Sequence, residues 1–142
     1  MRLYLFSIIV LGGLFFSNAQ EKAPTNIILM IGDGMGLTQI TAGMYFNGNK
    51  TALEDFTNIG LSKTHSSNSL VTDSAASGTA MASGVKTLNG VVGISYKNKT
   101  PKSILEISKE QGYQTALIAT SSIVHATPAS FYADVVSRKE YE

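Results

Sequence analysis

The stretch Asn26-Ile27-Ile28-Leu29-Met30-Ile31-Gly32-Asp33-Gly34-Met35-Gly36 decides the fold class. Its first six residues are almost continuously apolar and end at a glycine-rich turn, the pattern of a strand buried on both faces in a parallel sheet. Leu37, Ile40 and Met44 then recur at helical spacing until Asn47-Gly48-Asn49 stops the pattern. Outward from this unit, the weak alternation of Ile59, Leu61 and Lys63 predicts a second strand. Residues 74–83, rich in Ala, Ser and Gly, predict a helix whose small side chains permit close packing. Thr100 before Pro101 starts a further helix and Gly112 stops it. Residues 113–120 hold Ala116-Leu117-Ile118-Ala119 and read as another buried strand, and Thr127-Pro128 opens a last helix with Phe131 and Val135 on one face. Strands alternating with helices predict an α/β fold, a three-layer α/β/α sandwich with a mostly parallel central sheet. There is no internal repeat, low-complexity tract or clear linker.

The chain has 142 residues, 44% of them hydrophobic, and a formal net charge of +1, which is the make-up of one ordinary folded domain. A charge so close to zero gives no support for nucleic acid as a specific partner, so a phosphate-bearing ligand must be met by local positive groups. The absence of Cys excludes disulfides and thiolate metal sites. Arg2, the apolar run at 3–16 and the small residues Ser17-Asn18-Ala19 have the order of a secretory signal. The run is shorter than the roughly 20 residues that cross a bilayer as a helix. A signal peptide at 1–19, a mature domain from Gln20, residence outside the cytoplasm (secreted or periplasmic) and no stable membrane insertion are therefore expected, with a retained anchor as the alternative.

Three places carry candidate chemistry. Asp33 is held between Gly32 and Gly34 directly after the first predicted strand, where ligand sites of open α/β sheets lie. Its carboxylate would be a hard ligand suited to Mg²⁺ and acceptable to Zn²⁺; alternatively Asp33 caps the next helix. The spacing is neither G-x-G-x-x-G nor a P-loop. Second, Ser74 stands in the first turn of a predicted helix capped by Thr72 or Asp73, where free N–H groups favour an anion. No His is near it and G-x-S-x-G is absent, so activation by metal fits better than an esterase-type elbow; an ordinary capped helix is the bland alternative. Third, His125 and Thr127, two residues apart, could both face a metal, or Thr127-Pro128 could simply start a helix. Arg138 lies four residues after Asp134, the spacing of an exposed helical ion pair; turned inward, its planar fork could hold two phosphate oxygens. A continuous helix would put Arg138 roughly 16 Å from Thr127, so for both to serve one site the helix must break or the Arg reach back. His65 reads as a surface histidine.

Taken in order, residues 31–36, Thr72-Asp73-Ser74-Ala75-Ala76-Ser77-Gly78-Thr79-Ala80, Gly84-Val85-Lys86-Thr87-Leu88-Asn89-Gly90, His125-Ala126-Thr127-Pro128 and Ser137-Arg138-Lys139 resemble the alkaline phosphatases. The resemblance covers nearly all the mature chain and makes 20–142 the N-terminal part of an alkaline-phosphatase-like domain. It implies hydrolysis of phosphate monoesters at a site with two Zn²⁺ and one Mg²⁺, in an enzyme compatible with a homodimer. By the same resemblance, Asp33 bridges a zinc and the magnesium, and Ser74 binds that zinc, attacks phosphorus and carries the phosphoseryl intermediate. Asp73 orients Arg138, Arg138 clamps the phosphate oxygens, and Thr127 ligates magnesium. His125 falls where some relatives have Asp and others His, an exchange of a hard anionic group for a neutral nitrogen donor that changes which metal is favoured there.

With 2 His and 10 acidic residues the chain cannot fill two three-ligand zinc sites and a magnesium site. The last residues, 137–142, carry no stop signal for the helix expected there. The chain therefore reads as a piece of a larger enzyme, inactive alone and leaving a sheet edge and an apolar face exposed. Two alternatives stand beside this reading: a non-catalytic phosphate-binding or remnant domain, and a diesterase or sulfatase of the wider metal-dependent superfamily. Asp73-Ser74 with Arg138 argues against the second.

Overall fold

The computed structural model describes residues 26–140. The signal segment expected at 1–19 lies outside the described residues. Contacts divide the chain into two compact units, Met1–Ile31 and Gly32–Glu142. In the first, the described residues form no ladder, and Ile27, Ile28, Leu29 and Met30 are exposed. The helices of the described residues lie in the second: α1 (Leu37–Phe46), α2 (Ser74–Ser83), α3 (Ile104–Glu110) and α4 (Ala126–Ala129), with a 3₁₀ turn at Ala52–Asp55.

The predicted helix at 74–83 is α2, and its small side chains explain its place at the centre of the unit. Ala75, Ala76, Gly78, Thr79 and Ala82 are buried, and α4 and α3 both pack on them. A Cβ on Gly78 would stand 2.8 Å from Ser130 Oγ and 3.4 Å from Thr127 Cα, so the missing side chain sets how closely the α4 segment approaches. Ala75, Val92, Ala126 and Ala129 form the hydrophobic core, with Ala133 and Val135 against it. Buried hydroxyls stitch its edges: Thr79 Oγ1 accepts from the Gly93 N–H at 2.9 Å, and Ser130 Oγ donates to the Ala126 carbonyl at 2.7 Å. Ser103 caps α3 by accepting from the Glu106 N–H, and donates to the Phe131 carbonyl at 2.7 Å. The Ser103 N–H in turn holds the Glu106 carboxyl below the usual range, while desolvation, and then the charge of Glu106, raise that of Asp134.

Several expectations are corrected. The segments 26–31, 59–63 and 113–120 carry no strand among the described residues, where Ile59, Leu61 and Ile118 are almost fully exposed, so the predicted parallel sheet is not seen in them. A strand satisfies its backbone only in a ladder, and among the described residues none of these segments is in one. What pairing there is among the described residues is one antiparallel bridge, Val92 with Val135, through bonds of 3.0 and 2.9 Å. The third helix begins at Ile104, because the capping box of Ser103 and Glu106 satisfies its first N–H groups three residues beyond Thr100. The last helix ends at Ala129 and does not continue through Arg138. Phe131 and Val135 therefore do not share a helix face: Phe131 is buried beyond the helix end, and Val135 is drawn into the bridge, where its backbone bonds to Val92 replace helical ones.

Gly93 holds this bridge region. Its φ is +72°, and a Cβ there would fall 2.1 Å from the Ala133 carbonyl oxygen. Gly93→Ala should therefore destabilise the protein by more than the roughly 1–3 kcal/mol typical of overpacking, read as a lowered urea midpoint; an unchanged midpoint would contradict the packing described here.

Candidate active site

The first turn of α2 is where distant parts of the chain meet. Asp73 is the N-cap: its Oδ1 accepts from the Ala76 N–H at 2.9 Å, whereas Thr72, the other predicted cap, donates to the Asp73 carbonyl. Ser77 N–H and Oγ both donate to that same carbonyl, at 3.1 and 2.9 Å. The N–H groups of Ser74 and Ala75, which have no intrahelical acceptor, keep none among the described residues.

Asp33 does not cap α1. The N-cap of that helix is Gly36, whose N–H donates to Gln39 Oε1 at 3.1 Å. The Asp33 carboxylate instead accepts from Ser74 Oγ at 3.3 Å on one oxygen and from Thr127 Oγ1 at 2.8 Å on the other. Gly34, at φ +68°, lets the turn close, with the Gly36 N–H donating to the Gly34 carbonyl at 3.1 Å. Three oxygen-bearing side chains from the glycine turn, from α2 and from α4 thus converge.

Arg138 reaches the same place by the broken helix that joint service with Thr127 requires. After Ala129 the chain turns, pairs Val135 with Val92, and brings the Arg138 N–H to the Gly90 carbonyl at 2.6 Å. The guanidinium then donates from one terminal nitrogen to Asp73 Oδ2 at 3.2 Å. The pairing with Asp134 expected from helical spacing is not made, because the backbone between them is not helical. The side chains of Arg138 and Asp73 remain 32% and 26% exposed, so the pair is worth little as a stabilising contact. Its effect is orientation: the remaining guanidinium donors have no protein acceptor among the described residues.

His125 is the N-cap residue of α4 and exposed; among the described residues its imidazole makes no hydrogen bond to Asp33, Ser74 or Thr127. His65 is exposed, as read from sequence, and its carbonyl accepts from Lys86 Nζ. Two site residues were given no role from sequence. Asn89 Oδ1 accepts from the Asp73 N–H at 3.2 Å, and the Gly90 N–H donates to Asp73 Oδ2 at 3.0 Å. The Asn-Gly turn signal was visible, but nothing local indicated what the turn holds.

Asp33 with the hydroxyls of Ser74 and Thr127 is a set of hard oxygen donors that fits a divalent cation such as Mg²⁺ and is acceptable to Zn²⁺. It makes up only part of a coordination shell. Among the described residues no group of three or more His, Cys, Asp or Glu side chains is placed to hold a metal ion.

The chain as a whole matches a known family. The alkaline phosphatase family model matches residues 24–142. Alkaline phosphatase 4 of Bacillus subtilis (strain 168) is 46% identical over 133 residues, covering 87% of this chain and 29% of that protein. The alkaline phosphatase of Escherichia coli (strain K12) is 41% identical over 131 residues, covering 85% and 28%. Among solved structures, the alkaline phosphatase of the Antarctic bacterium TAB5 superposes with a TM-score of 0.72 at 47% identity, over 75% of this chain and 31% of that one. A histidine-to-aspartate mutant of that enzyme was solved with Mg bound in its M3 site. The chain belongs to the alkaline phosphatase family. Its fold is alkaline-phosphatase-like, and it spans less than a third of the length of these relatives.

The two functions of the Asp73 carboxylate can be separated. Asp73→Asn keeps a good cap and should leave stability nearly unchanged, whereas Asp73→Ala should cost about 1 kcal/mol, both read by chemical denaturation; equal losses in the two variants would show that capping is not what the side chain contributes.

Proposed function

We propose that the protein of which this chain forms part hydrolyses phosphate monoesters, with Ser74 as nucleophile and Arg138 as phosphate clamp. The observation that supports this reading best is the convergence on the first turn of α2. There the Ser74 hydroxyl meets Asp33 and Thr127 on one side, while Asp73 holds a guanidinium with spare donors on the other. The free N–H groups of the turn and the helix dipole favour an anion at that position. A phosphoryl group there would receive hydrogen bonds from Arg138 and stand before Ser74 Oγ.

In the first step Ser74 Oγ forms a bond to phosphorus as the ester P–O bond breaks. The serine proton passes to solvent, and the leaving alkoxide takes a proton from water. In the second step water attacks the phosphoserine, the Ser74 O–P bond breaks, and inorganic phosphate and the serine hydroxyl are restored. Arg138 keeps the non-bridging oxygens in place through both steps, since a loose phosphoryl transition state is helped mainly by positioning and charge.

Asp33, Ser74 and Thr127 are the residues that would hold divalent metal, with His125 as a further ligand. When bound, such ions stabilise attacking and leaving oxygens and lower the pKa of water. Two Zn²⁺ and one Mg²⁺ are proposed from the family resemblance. A site where histidine and carboxylate can exchange, as in the Mg-bound TAB5 mutant, is in keeping with a third metal near His125. Residence outside the cytoplasm is proposed from Arg2 and the apolar run at 3–16. A second reading, phosphate binding without turnover by this chain alone, is favoured by the incomplete set of metal ligands among the described residues.

Ser74→Ala in the full-length protein should abolish incorporation of label from a radiolabelled phosphate monoester and lower turnover by on the order of a thousandfold or more; label incorporation like the wild type would rule Ser74 out as the nucleophile. Arg138→Ala should weaken binding of inorganic phosphate while bound metal, measured by elemental analysis, stays near the wild-type level. Loss of metal with phosphate affinity retained would assign Arg138 a structural role instead.

A further inference from the structure

The segment Gly84–Gly90 was part of the resemblance but has no place in the mechanism above, and the structure brings its last two residues against the site. Asn89 reaches across in three directions. Its Oδ1 accepts from the Asp73 N–H at 3.2 Å, its Nδ2 donates to the Val71 carbonyl at 2.9 Å, and its own N–H donates to Asn68 Oδ1 at 3.0 Å. The side chain therefore grips the backbone on both sides of Thr72, immediately before Ser74. Gly90 completes the brace. Its N–H donates to Asp73 Oδ2, the oxygen that Arg138 also contacts, and its carbonyl accepts the Arg138 N–H at 2.6 Å. With a φ of +88°, Gly90 holds a backbone conformation that L side chains rarely adopt.

We infer that Asn89 is a positioning residue for phosphate recognition, acting through Asp73 to fix where the Arg138 guanidinium points. Asp73 Oδ2 is shared by the Gly90 N–H and Arg138, and Oδ1 is committed to the helix cap. Rotation of this carboxylate is thus blocked as long as the Asp73 backbone stays where Asn89 holds it. Without the Asn89 side chain the Asp73 N–H and the Val71 carbonyl lose their partners, the segment before Ser74 can shift, and Arg138 loses the fixed direction of its acceptor. Asn89 itself touches neither substrate nor nucleophile. This inference rests on the reading of Arg138 as the phosphate clamp.

The test is a double-mutant cycle on the full-length protein, read as the dissociation constant of inorganic phosphate, with Asn89→Ala, Arg138→Ala and the combined variant. Asn89→Ala should weaken phosphate binding roughly tenfold, on the scale of one lost hydrogen bond, with a melting transition close to the wild type. The same substitution made in Arg138→Ala should change phosphate affinity little, because its effect is carried by the guanidinium. If Arg138→Ala weakens binding and Asn89→Ala does not, the inference fails and the clamp stands. Full additivity of the two losses also overturns it, since Asn89 would then act independently of Arg138. Unchanged affinity in Arg138→Ala overturns the clamp and the inference together. Should Asn89→Ala fail to fold, Gly90→Ala, whose Cβ meets no atom within 4 Å but whose φ is strained, takes its place in the cycle with the same expected outcomes.

Discussion

The carboxylate of Asp73 is the interaction on which the rest of the site depends. One oxygen closes the open end of α2 and the other collects the Gly90 N–H and the Arg138 guanidinium, from residues 17 and 65 positions away. A helix start is by its nature short of acceptors, so a cap is needed there in any case. Here the cap also fixes the frame of a cation. Because the side chain is only partly buried, its contribution lies in geometry more than in stability.

The opposite side of the site depends on the absence of bulk. Ala75, Gly78 and Thr79 give α2 a face with almost no side-chain relief, and the segment around α4 lies directly on it. That closeness carries Thr127 to Asp33, and Asp33 to Ser74. A larger residue at 78 would have to displace Ser130 before it touched any reacting group, so packing and chemistry are joined through one glycine. The apolar segments at 26–31 and 113–120 carry exposed apolar side chains, Ile28, Met30 and Ile118 among them.

The sequence was most legible where a local rule had no competitor. Helix α2 and the Asn-Gly-Asn stop of α1 follow from composition and turn chemistry, and both match the structure. Asp33, Ser74, Thr127, Asp73 and Arg138 were all singled out; hydrogen bonds join the first three through Asp33 and, separately, Arg138 to Asp73. Strands were less legible in outcome: an apolar run states a preference for burial, but the ladder needs a partner that no local pattern supplies. The start of α3 was misplaced because Thr100-Pro101 and Ser103–Glu106 both look like helix starts, and the reciprocal cap prevails. The turn after Ala129 was open for a related reason. Helical spacing favoured a pair between Asp134 and Arg138, whereas the long-range bridge of Val135 to Val92 took the backbone elsewhere. Asn89 lay in a quoted motif without a role, since its partners are 16, 18 and 21 residues away.

The hydrogen bond from Thr127 to Asp33 spans 94 residues of chain, and that of Ser74 to Asp33 spans 41. Contacts of such sequence separation are formed against the entropy of closing long loops, so they come late and slow the approach to the native state. The capped helix α2 is local and can exist early, with its free N–H groups already displayed. During synthesis Asp33 would emerge well before Thr127, and its carboxylate would wait for most of the chain before its second hydroxyl partner arrived. The order of assembly is therefore written into the spacing: the helix end first, its acidic neighbour second, and the hydroxyl and guanidinium that complete the constellation last.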